Sequence, residues 1–364
     1  MTSGLGQLIR ILVLLALITG VAGSSPALAA DDSTGAVYTL TNAASGNRVL
    51  IFDRAADGTL MAAGSVATGG NGGTLGSQGS LATSGDQRWL YAVNSGSNTI
   101  SALAIQSNTL SLASVVASGG VAPNSVTAHG DLVYVLNAGG TPNISGFTSR
   151  DGVLQPIAGS TRPLGHSNAG AVEIAFSPSG RVLVVSDKAA NAIETFVLDD
   201  HGIPSSATVF ASSGPAPFGF AFSNENTLVF SEAASVPAGS SSASSYAISH
   251  DGSITTVSGS VSTTQGAACW LVATRDGRFA YTANAASGSL SLFAITPSSG
   301  ALSLQQAVAA GGLAHPIDMA LTDNNHVLYV LDAGSIVGYR LSADGSLTWI
   351  SSTPMAGTAG LVAR

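Results

Sequence analysis

The chain has 364 residues, of which 45% are hydrophobic and only 9% are charged, with 44 glycines and a formal net charge of −8. Disordered segments are polar and highly charged, so this composition excludes a charge-driven disordered chain. It also argues against nucleic-acid binding, which needs clustered lysine and arginine, because the sequence contains no basic run.

The first 30 residues predict an export signal. Arg10 precedes a short apolar stretch at residues 11–18, and Ala27-Leu28-Ala29 has the small-x-small pattern of a cleavage site. The apolar stretch is shorter than the roughly 20 residues that a membrane-spanning helix needs. We therefore expect a signal peptide over residues 1–30 and a secreted or extracytoplasmic mature chain, residues 31–364, without a membrane span.

One strand pattern then occurs seven times. A short apolar strand ends at Asn, Asp or Glu, and a partner strand of alternating apolar and polar residues follows it. Such alternation marks strands with one buried face. Several repeats continue through an Asp-Gly turn, which is a strong hairpin signal. The first strands of the repeats lie at residues 37–40, 90–93, 133–136, 183–185, 228–230, 280–283 and 328–331.

A third type of strand, rich in small residues, precedes six of these repeats. Small side chains suit strands that crowd around a central axis, so we expect these to be the inner strands of blades. Their residues are 78–82, 124–127, 172–176, 218–222, 269–273 and 317–321.

The seventh inner strand is at the other end of the chain. Residues 358–363 have the same character and no repeat follows them, whereas the first repeat, near Ala36, has no inner strand of its own. Pairing between the two ends would hide strand edges that an open array exposes. The sequence therefore predicts an all-β, seven-bladed β-propeller over residues 31–364, closed by the C-terminal strand within the N-terminal blade.

Candidate site residues lie where inner strands and strand ends converge at the mouth of the channel. A carboxylate there can deprotonate a water, or two can hold a divalent metal, but each can instead cap a strand end by accepting backbone N–H groups. Glu232 is the candidate base because a long Ala- and Ser-rich loop, residues 233–245, follows it. Aromatic residues there can floor a pocket or pack in the core. The candidate substrate-binding residues are Glu173, Asp187, Phe218, Trp270 and Asp318.

The histidines give no metal signature. The six are scattered without metal-ligand spacing, and we expect His315 to be the one near the channel. The segment Gly165-His166-Ser167-Asn168 departs from a nucleophile elbow at Ala169. We therefore expect no metal and no cofactor, with a divalent cation as the alternative.

Taken together, the repeats resemble the seven-bladed lactonase family, which includes 6-phosphogluconolactonase and the 3-carboxymuconate cyclase-like proteins. The resemblance spans the mature chain and is carried by residues 94–100 (NSGSNTI), 176–181 (FSPSGR) and 274–284 (TRDGRFAYTAN).

The resemblance also has implications for the site. It implies a His on one inner strand, an Arg on the next and a Glu closing the strand after it. Here Val172 or Glu173 occupies the His region, Phe218 stands in place of Arg, and Glu232 matches the Glu. Loss of both cations implies that a phosphorylated or carboxylated sugar is not the substrate.

Two functions remain open from the sequence, so it leaves undecided whether the chain is an enzyme. The first is a secreted hydrolase of an uncharged lactone, with Glu232 as the carboxylate base. The second is a non-catalytic propeller that binds a glycan, a cell-wall component or a protein. For either we expect a monomer, and for the hydrolase a small-molecule lactone as ligand.

Overall fold

The computed structural model describes residues 34–167, 169–355 and 359–364, together with Met1. Within these residues, 29 strands form seven antiparallel sheets. This part of the chain contains no helix long and apolar enough to cross a membrane. Apart from Met1, the predicted signal peptide, residues 1–30, lies outside the described residues and stays a prediction.

Each sheet is one blade, and the strands are numbered along the chain. Blade 1 contains β1 (Gly35–Leu40), β2 (Arg48–Arg54) and β3 (Leu60–Ala67). Blade 2 contains β4 (Leu81–Thr83), β5 (Trp89–Asn94), β6 (Thr99–Gln106) and β7 (Thr109–Ala117). Blade 3 contains β8 (Val121–His129), β9 (Leu132–Gly139), β10 (Asn143–Arg150), β11 (Val153–Pro156) and the short β12 (Arg162–Pro163).

The remaining four blades follow the same plan. Blade 4 contains β13 (Ala171–Phe176), β14 (Val182–Asp187), β15 (Ala192–Val197) and β16 (Thr208–Ala211). Blade 5 contains β17 (Pro217–Phe222), β18 (Thr227–Glu232), β19 (Ser242–Ile248) and β20 (Ile254–Ser262). Blade 6 contains β21 (Ala268–Ala273), β22 (Phe279–Asn284), β23 (Ser289–Ile295) and β24 (Leu302–Gly311). Blade 7 contains β25 (Pro316–Leu321), β26 (Val327–Asp332), β27 (Ser335–Leu341) and β28 (Leu347–Pro354), and β29 (Ala359–Ala363) returns to blade 1.

The last strand closes the ring, as predicted. Blade 1 has the strand order β29-β1-β2-β3, and Val37 of β1 lies opposite Ala363 of β29 in the antiparallel ladder. The ladder buries apolar side chains as well as backbone groups, since Leu361 belongs to the same buried apolar cluster as Val37 and as Tyr329 of blade 7. The C-terminal strand thus fills the inner position that the first repeat lacks.

The seven inner strands form a continuous ring around the axis. They are β29, β4, β8, β13, β17, β21 and β25, and each contacts the next one around the circle, with β25 contacting β29. Outward from each inner strand, the blade continues through its second and third strands to an outer strand. The predicted seven-bladed, all-β propeller is confirmed.

Three buried tyrosines on second strands, one each in blades 3, 6 and 7, connect neighbouring blades. Each donates its hydroxyl to a glycine carbonyl in a hairpin turn of the next blade, so an apolar ring fills the core while its polar end stays paired. Two constraints favour glycine at position 345. Its φ is +83°, which other residues rarely adopt, and an added Cβ would lie 2.9 Å from the Phe279 ring. The pairs are Tyr134 with Gly202, Tyr281 with Gly345 (2.6 Å) and Tyr329 with Gly58 (2.7 Å).

Closure makes a prediction about stability. Leu361→Ala removes buried apolar volume, so we expect the free energy of unfolding to fall by about 2–4 kcal/mol. Deletion of residues 359–364 leaves the edge of β1 unpaired and should lower stability further. Met61→Ala is the control, because this side chain is exposed on β3 of the same blade and should cost less than about 0.5 kcal/mol. Denaturant unfolding measures all three, and an unchanged midpoint after the deletion would contradict closure.

Candidate functional site

The polar strand ends lie together on one face of the ring, which we call the mouth face. In four blades the last residue of the second strand pairs with the first residue of the inner strand, so both lie on this face. The pairs are Asp187 with Ala171, Glu232 with Pro217, Asn284 with Ala268 and Asp332 with Pro316.

Strand-end carboxylates on the mouth face hold the loops that lead into the inner strands. Asp332 accepts the backbone N–H groups of Ala314 (2.9 Å) and His315 (2.6 Å). Asp187 accepts those of Gly170 (2.8 Å) and Ala190 (3.1 Å) through Oδ1. For Asp332 both oxygens are used in this way, which is the capping role that the sequence left open. Asp187 Oδ2 accepts neither of these N–H groups and lies instead beside His166.

The Glu232 carboxylate is buried and surrounded by donors. Oε1 accepts the Gly214 N–H (2.8 Å) and the Ser244 hydroxyl, and Oε2 accepts the hydroxyls of Ser242 and Ser260. An ionised carboxylate offers about four lone-pair positions, and four donors occupy them. Glu232 is 0% exposed, so bulk solvent does not contact it in this arrangement. Its role as the base stays a prediction, and the geometry favours a loop-holding role.

Gln78 bridges the axis of the ring. From blade 2 its side chain reaches blade 6, where Nε2 donates to the Leu271 carbonyl (2.7 Å) and Oε1 accepts the Leu271 N–H (2.9 Å). The Trp270 indole N–H makes a second cross-axis contact, to the Ser77 carbonyl (3.1 Å). These contacts fasten blades that are not neighbours in the ring.

Two of the predicted binding carboxylates lie near this bridge. Glu173 accepts the Phe220 N–H (2.7 Å) and Asp318 accepts the Met319 N–H (2.8 Å). Burial raises the pKa of Asp318 to about 8. Burial, and after it the nearby Asp318, also raises the pKa of Glu173 well above its usual range. Desolvation disfavours the charged carboxylate, so Asp318 favours the protonated form at neutral pH, and the pKa of Glu173 is shifted in the same direction.

The predicted aromatic pair forms part of the core between blades. Phe218 and Trp270 meet edge to face, with ring centroids 5.2 Å apart, and both are buried. The Lys188 ammonium lies 5.3 Å from the centre of the Phe218 ring and is exposed to solvent. Phe218 and Trp270 therefore pack in the core, which is one of the two roles that the sequence analysis left open for them. Lys188 covers the outer side of this pair on the mouth face.

A histidine and two carboxylates meet in blade 4. His166 Nδ1 lies 3.1 Å from Asp187 Oδ2 and 3.6 Å from Glu194 Oε1. Both carboxylate side chains are 0% exposed, whereas the imidazole is 39% exposed. Glu194 Oε2 accepts the Gly165 N–H (2.8 Å), and burial, followed by the charge of Asp187, raises the pKa of Glu194. We call His166, Asp187 and Glu194 the blade-4 cluster.

The blade-4 cluster replaces a neutral pair that other blades carry at the same place. In blade 2, Asn94 Nδ2 donates to Ser101 Oγ (2.8 Å), and in blade 6 Asn284 Nδ2 donates to Ser291 Oγ (2.9 Å). Asp187 and Glu194 occupy the corresponding positions, in the same cross-strand register. An amide and a hydroxyl satisfy each other, but two carboxylates cannot, because neither ionised group has a proton to donate.

The structure thus divides the predicted site residues among separate places. Asp187 belongs to the blade-4 cluster, Glu232 lies buried in blade 5, and the other four line the inner strands. His315 does lie on the mouth face, where Nδ1 is 3.1 Å from the Ala285 carbonyl. His166 and Glu194 were missed. A usable signal was the seven-residue spacing of Asp187 and Glu194, which matches that of Asn94 and Ser101.

The closed ring of seven blades defines the chain as a β-propeller. Residues 242–363, from β19 to β29, match the family described as "Lactonase, 7-bladed beta-propeller". The resemblance to propeller lactonases that the sequence predicted is therefore confirmed. No curated protein matches the chain.

Solved structures share the ring at low sequence identity. A Bacteroides uniformis protein, provisionally assigned as a 6-phosphogluconolactonase, has a TM-score of 0.71 at 22% identity, over 92% of this chain and 100% of that one. The periplasmic gluconolactonase of Pseudomonas aeruginosa has a TM-score of 0.69 at 18% identity, over 91% and 99%. Hydrazine synthase of Kuenenia stuttgartiensis has a TM-score of 0.60 at 12% identity, over 89% of this chain and 99% of that one. Because such different proteins share it, this likeness shows the fold alone.

The raised pKa of Asp318 predicts how stability depends on pH. The folded protein keeps the proton between about pH 4 and pH 8, whereas the unfolded chain releases it, so the free energy of unfolding should fall as pH rises through this window. Asp318→Asn keeps an acceptor for Met319 without the charge. We expect it to reduce the loss between pH 5 and pH 8 by on the order of 3 kcal/mol.

Denaturant unfolding at the two pH values measures this difference. Glu225→Gln is the control, because Glu225 is exposed and the variant should keep the pH dependence of the wild type. An equal pH dependence in Asp318→Asn and the wild type would contradict the assignment.

Proposed function

We propose that the chain is a lactonase-like hydrolase that uses water to open an uncharged lactone on the mouth face. The observation that carries the proposal is the blade-4 cluster, in which the buried carboxylate of Asp187 orients a partly exposed imidazole. A carboxylate behind a histidine fixes the ring and stabilises its charged form, which is a recurrent arrangement in hydrolases. The likeness to the lactonase family supports the reaction class.

Hydrolysis needs a group that takes a proton from water. The water oxygen adds to the carbonyl carbon of the lactone, the ring C–O bond breaks, and the released ring oxygen gains a proton to give a hydroxy acid. A positioned side chain that accepts the first proton accelerates such a step by typically 10²–10⁴-fold. His166 is the member of the cluster that a water can reach, since Asp187 and Glu194 are 0% exposed.

The mouth face suits a neutral substrate. The chain carries a formal net charge of −8, which disfavours the approach of an anionic ring. Phe218 stands where the family resemblance implies an arginine. We therefore infer an uncharged lactone, and the expected export would separate the protein from cytoplasmic sugar phosphates.

Two variants test which residue activates the water. A panel of neutral lactones, including glucono-δ-lactone, is incubated with the protein, and the acid released is titrated. We expect His166→Ala to lower kcat about 10²-fold or more, because the water loses its proton acceptor. His315→Ala is the control, since His315 lies on the same face outside the cluster, and it should keep the rate of the wild type.

Glu232→Gln tests the alternative in which Glu232, rather than His166, is the base. If this variant folds and loses activity while His166→Ala keeps it, Glu232 is the base, as the sequence predicted. Background rates in the wild type and in every variant would refute the hydrolase and leave the non-catalytic binding propeller as the function.

The charge argument makes a separate prediction. We expect kcat/KM for glucono-δ-lactone to exceed that for its 6-phosphate by about 10-fold or more at low ionic strength, because the protein repels the phosphate. Added salt screens this repulsion, so the ratio should shrink at high ionic strength. An equal or higher kcat/KM for the phosphate at low salt would contradict an uncharged substrate.

A further inference from the structure

The blade-4 cluster buries two carboxylates, and the described residues around them do not supply a hydrogen-bond donor for every oxygen. Asp187 uses Oδ1 for two backbone N–H groups and Oδ2 for His166, and Glu194 uses Oε2 for the Gly165 N–H. Glu194 Oε1 has no hydrogen-bond partner among the described residues, although it is fully buried. A buried polar atom without a partner is costly and therefore points to a ligand or a proton at that atom.

One imidazole cannot satisfy both carboxylates. If Nδ1 carries the proton, it donates to Asp187 at 3.1 Å, and Glu194 Oε1 at 3.6 Å lies beyond good hydrogen-bond distance. Blades 2 and 6 avoid the problem, because Ser101 and Ser291 donate onward to the backbone carbonyls of Thr68 (2.7 Å) and Ala307 (2.8 Å). An ionised glutamate cannot make such a donation.

Three potential ligand atoms of the cluster have the spacing of a metal site. His166 Nδ1, Asp187 Oδ2 and Glu194 Oε1 lie within 4.8 Å of one another. A tetrahedral ion with ligands at about 2.0–2.1 Å places its ligand atoms roughly 3.3 Å apart. The separations of His166 Nδ1 from Asp187 Oδ2 and Glu194 Oε1, 3.1 and 3.6 Å, lie on either side of this value. Small side-chain rotations would bring the atoms on to one ion.

We propose that the blade-4 cluster binds one divalent transition-metal ion of the Zn²⁺ type through His166 Nδ1, Asp187 Oδ2 and Glu194 Oε1. Imidazole with carboxylate oxygen is a donor set that suits Zn²⁺, and three protein ligands leave a fourth position for water. The two backbone N–H bonds to Asp187 and the Gly165 N–H bond to Glu194 orient the carboxylates as an outer shell does in metal sites.

With the ion bound, His166 Nδ1 would be a ligand, and the ion would replace the imidazole as the group that activates the water; this role rests on the proposed function. Zn²⁺ lowers the pKa of a bound water to about 7, so a hydroxide forms at neutral pH as the water releases a proton to solvent. The hydroxide oxygen bonds to the lactone carbonyl carbon, the ring C–O bond breaks with its electron pair on the ring oxygen, and that oxygen takes a proton from solvent. No oxidation or reduction is involved.

Metal binding is measured independently of activity. The full-length protein is dialysed against a chelator, freed of the chelator and titrated with ZnCl₂ by calorimetry and thermal unfolding. We expect one site of micromolar affinity or tighter, and a rise in Tm of roughly 5 °C at a hundredfold excess over Kd. The double variant Asp187→Asn with Glu194→Ser restores the pair that blades 2 and 6 carry, so it should fold and bind Zn²⁺ at least 100-fold more weakly.

His315→Ala is the matched control and should bind Zn²⁺ as the wild type does. Absence of saturable binding in the wild type, or equal binding in the double variant, overturns the metal site and assigns the free oxygen of Glu194 to a proton. Specific binding without lactone hydrolysis would refute the proposed function and keep the metal site. Hydrolysis that survives chelation would refute the catalytic role of the metal and keep the hydrolase.

Discussion

The pairing of β29 with β1 is the constraint on which the rest of the structure depends. These strands are more than 300 residues apart in the chain, as the Thr39 hydroxyl bond to the Ala359 carbonyl illustrates (sequence separation 320). The ladder gives blade 1 its inner strand and makes the circle of inner strands continuous. The backbone N–H of Leu361 on β29 acts to lower the pKa of Asp318 in blade 7, so closure also organises the surroundings of a buried carboxyl group beside the axis. Without closure, the strand ends would share no common mouth.

The mouth face shows how hydrogen bonding separates structural carboxylates from chemically available ones. Strand-end acids recur around the ring, yet donors occupy both oxygens of Asp332 and of Glu232. Such a group holds its loop, and removing it would leave buried N–H groups without acceptors. The blade-4 cluster differs because Asp187 and Glu194 face each other and one oxygen has no donor among the described residues. The unbalanced arrangement, rather than the residue type, distinguishes the blade-4 cluster from the other strand-end acids.

The axis places a second limit on function. Gln78 and Trp270 make contacts across it, and burial raises the pKa values of the nearby Glu173 and Asp318. Neutral buried carboxyl groups allow blades to approach closely where two charged ones would repel. Inner-strand residues that the sequence suggested for binding also make contacts between blades, as Glu173 does with Phe220 and Phe218 with Trp270, and their binding role stays a prediction. The chemistry proposed for the mouth face uses a group farther out along the blades, His166.

The sequence by itself determined the propeller, its seven blades and its closure. Alternation, turn residues and the count of inner strands are local or periodic features, and each is visible in a single chain. Tertiary structure alone decided which polar residues are available. Glu232 looked free in the sequence, but its donors come from the loop at Gly214 and from Ser242, Ser244 and Ser260, all brought in by cross-strand register. His166 looked isolated, and folding placed it against two carboxylates. Whether every oxygen of a carboxylate has a donor depends on which residues folding brings next to it. Residue type and spacing along the chain do not show this directly.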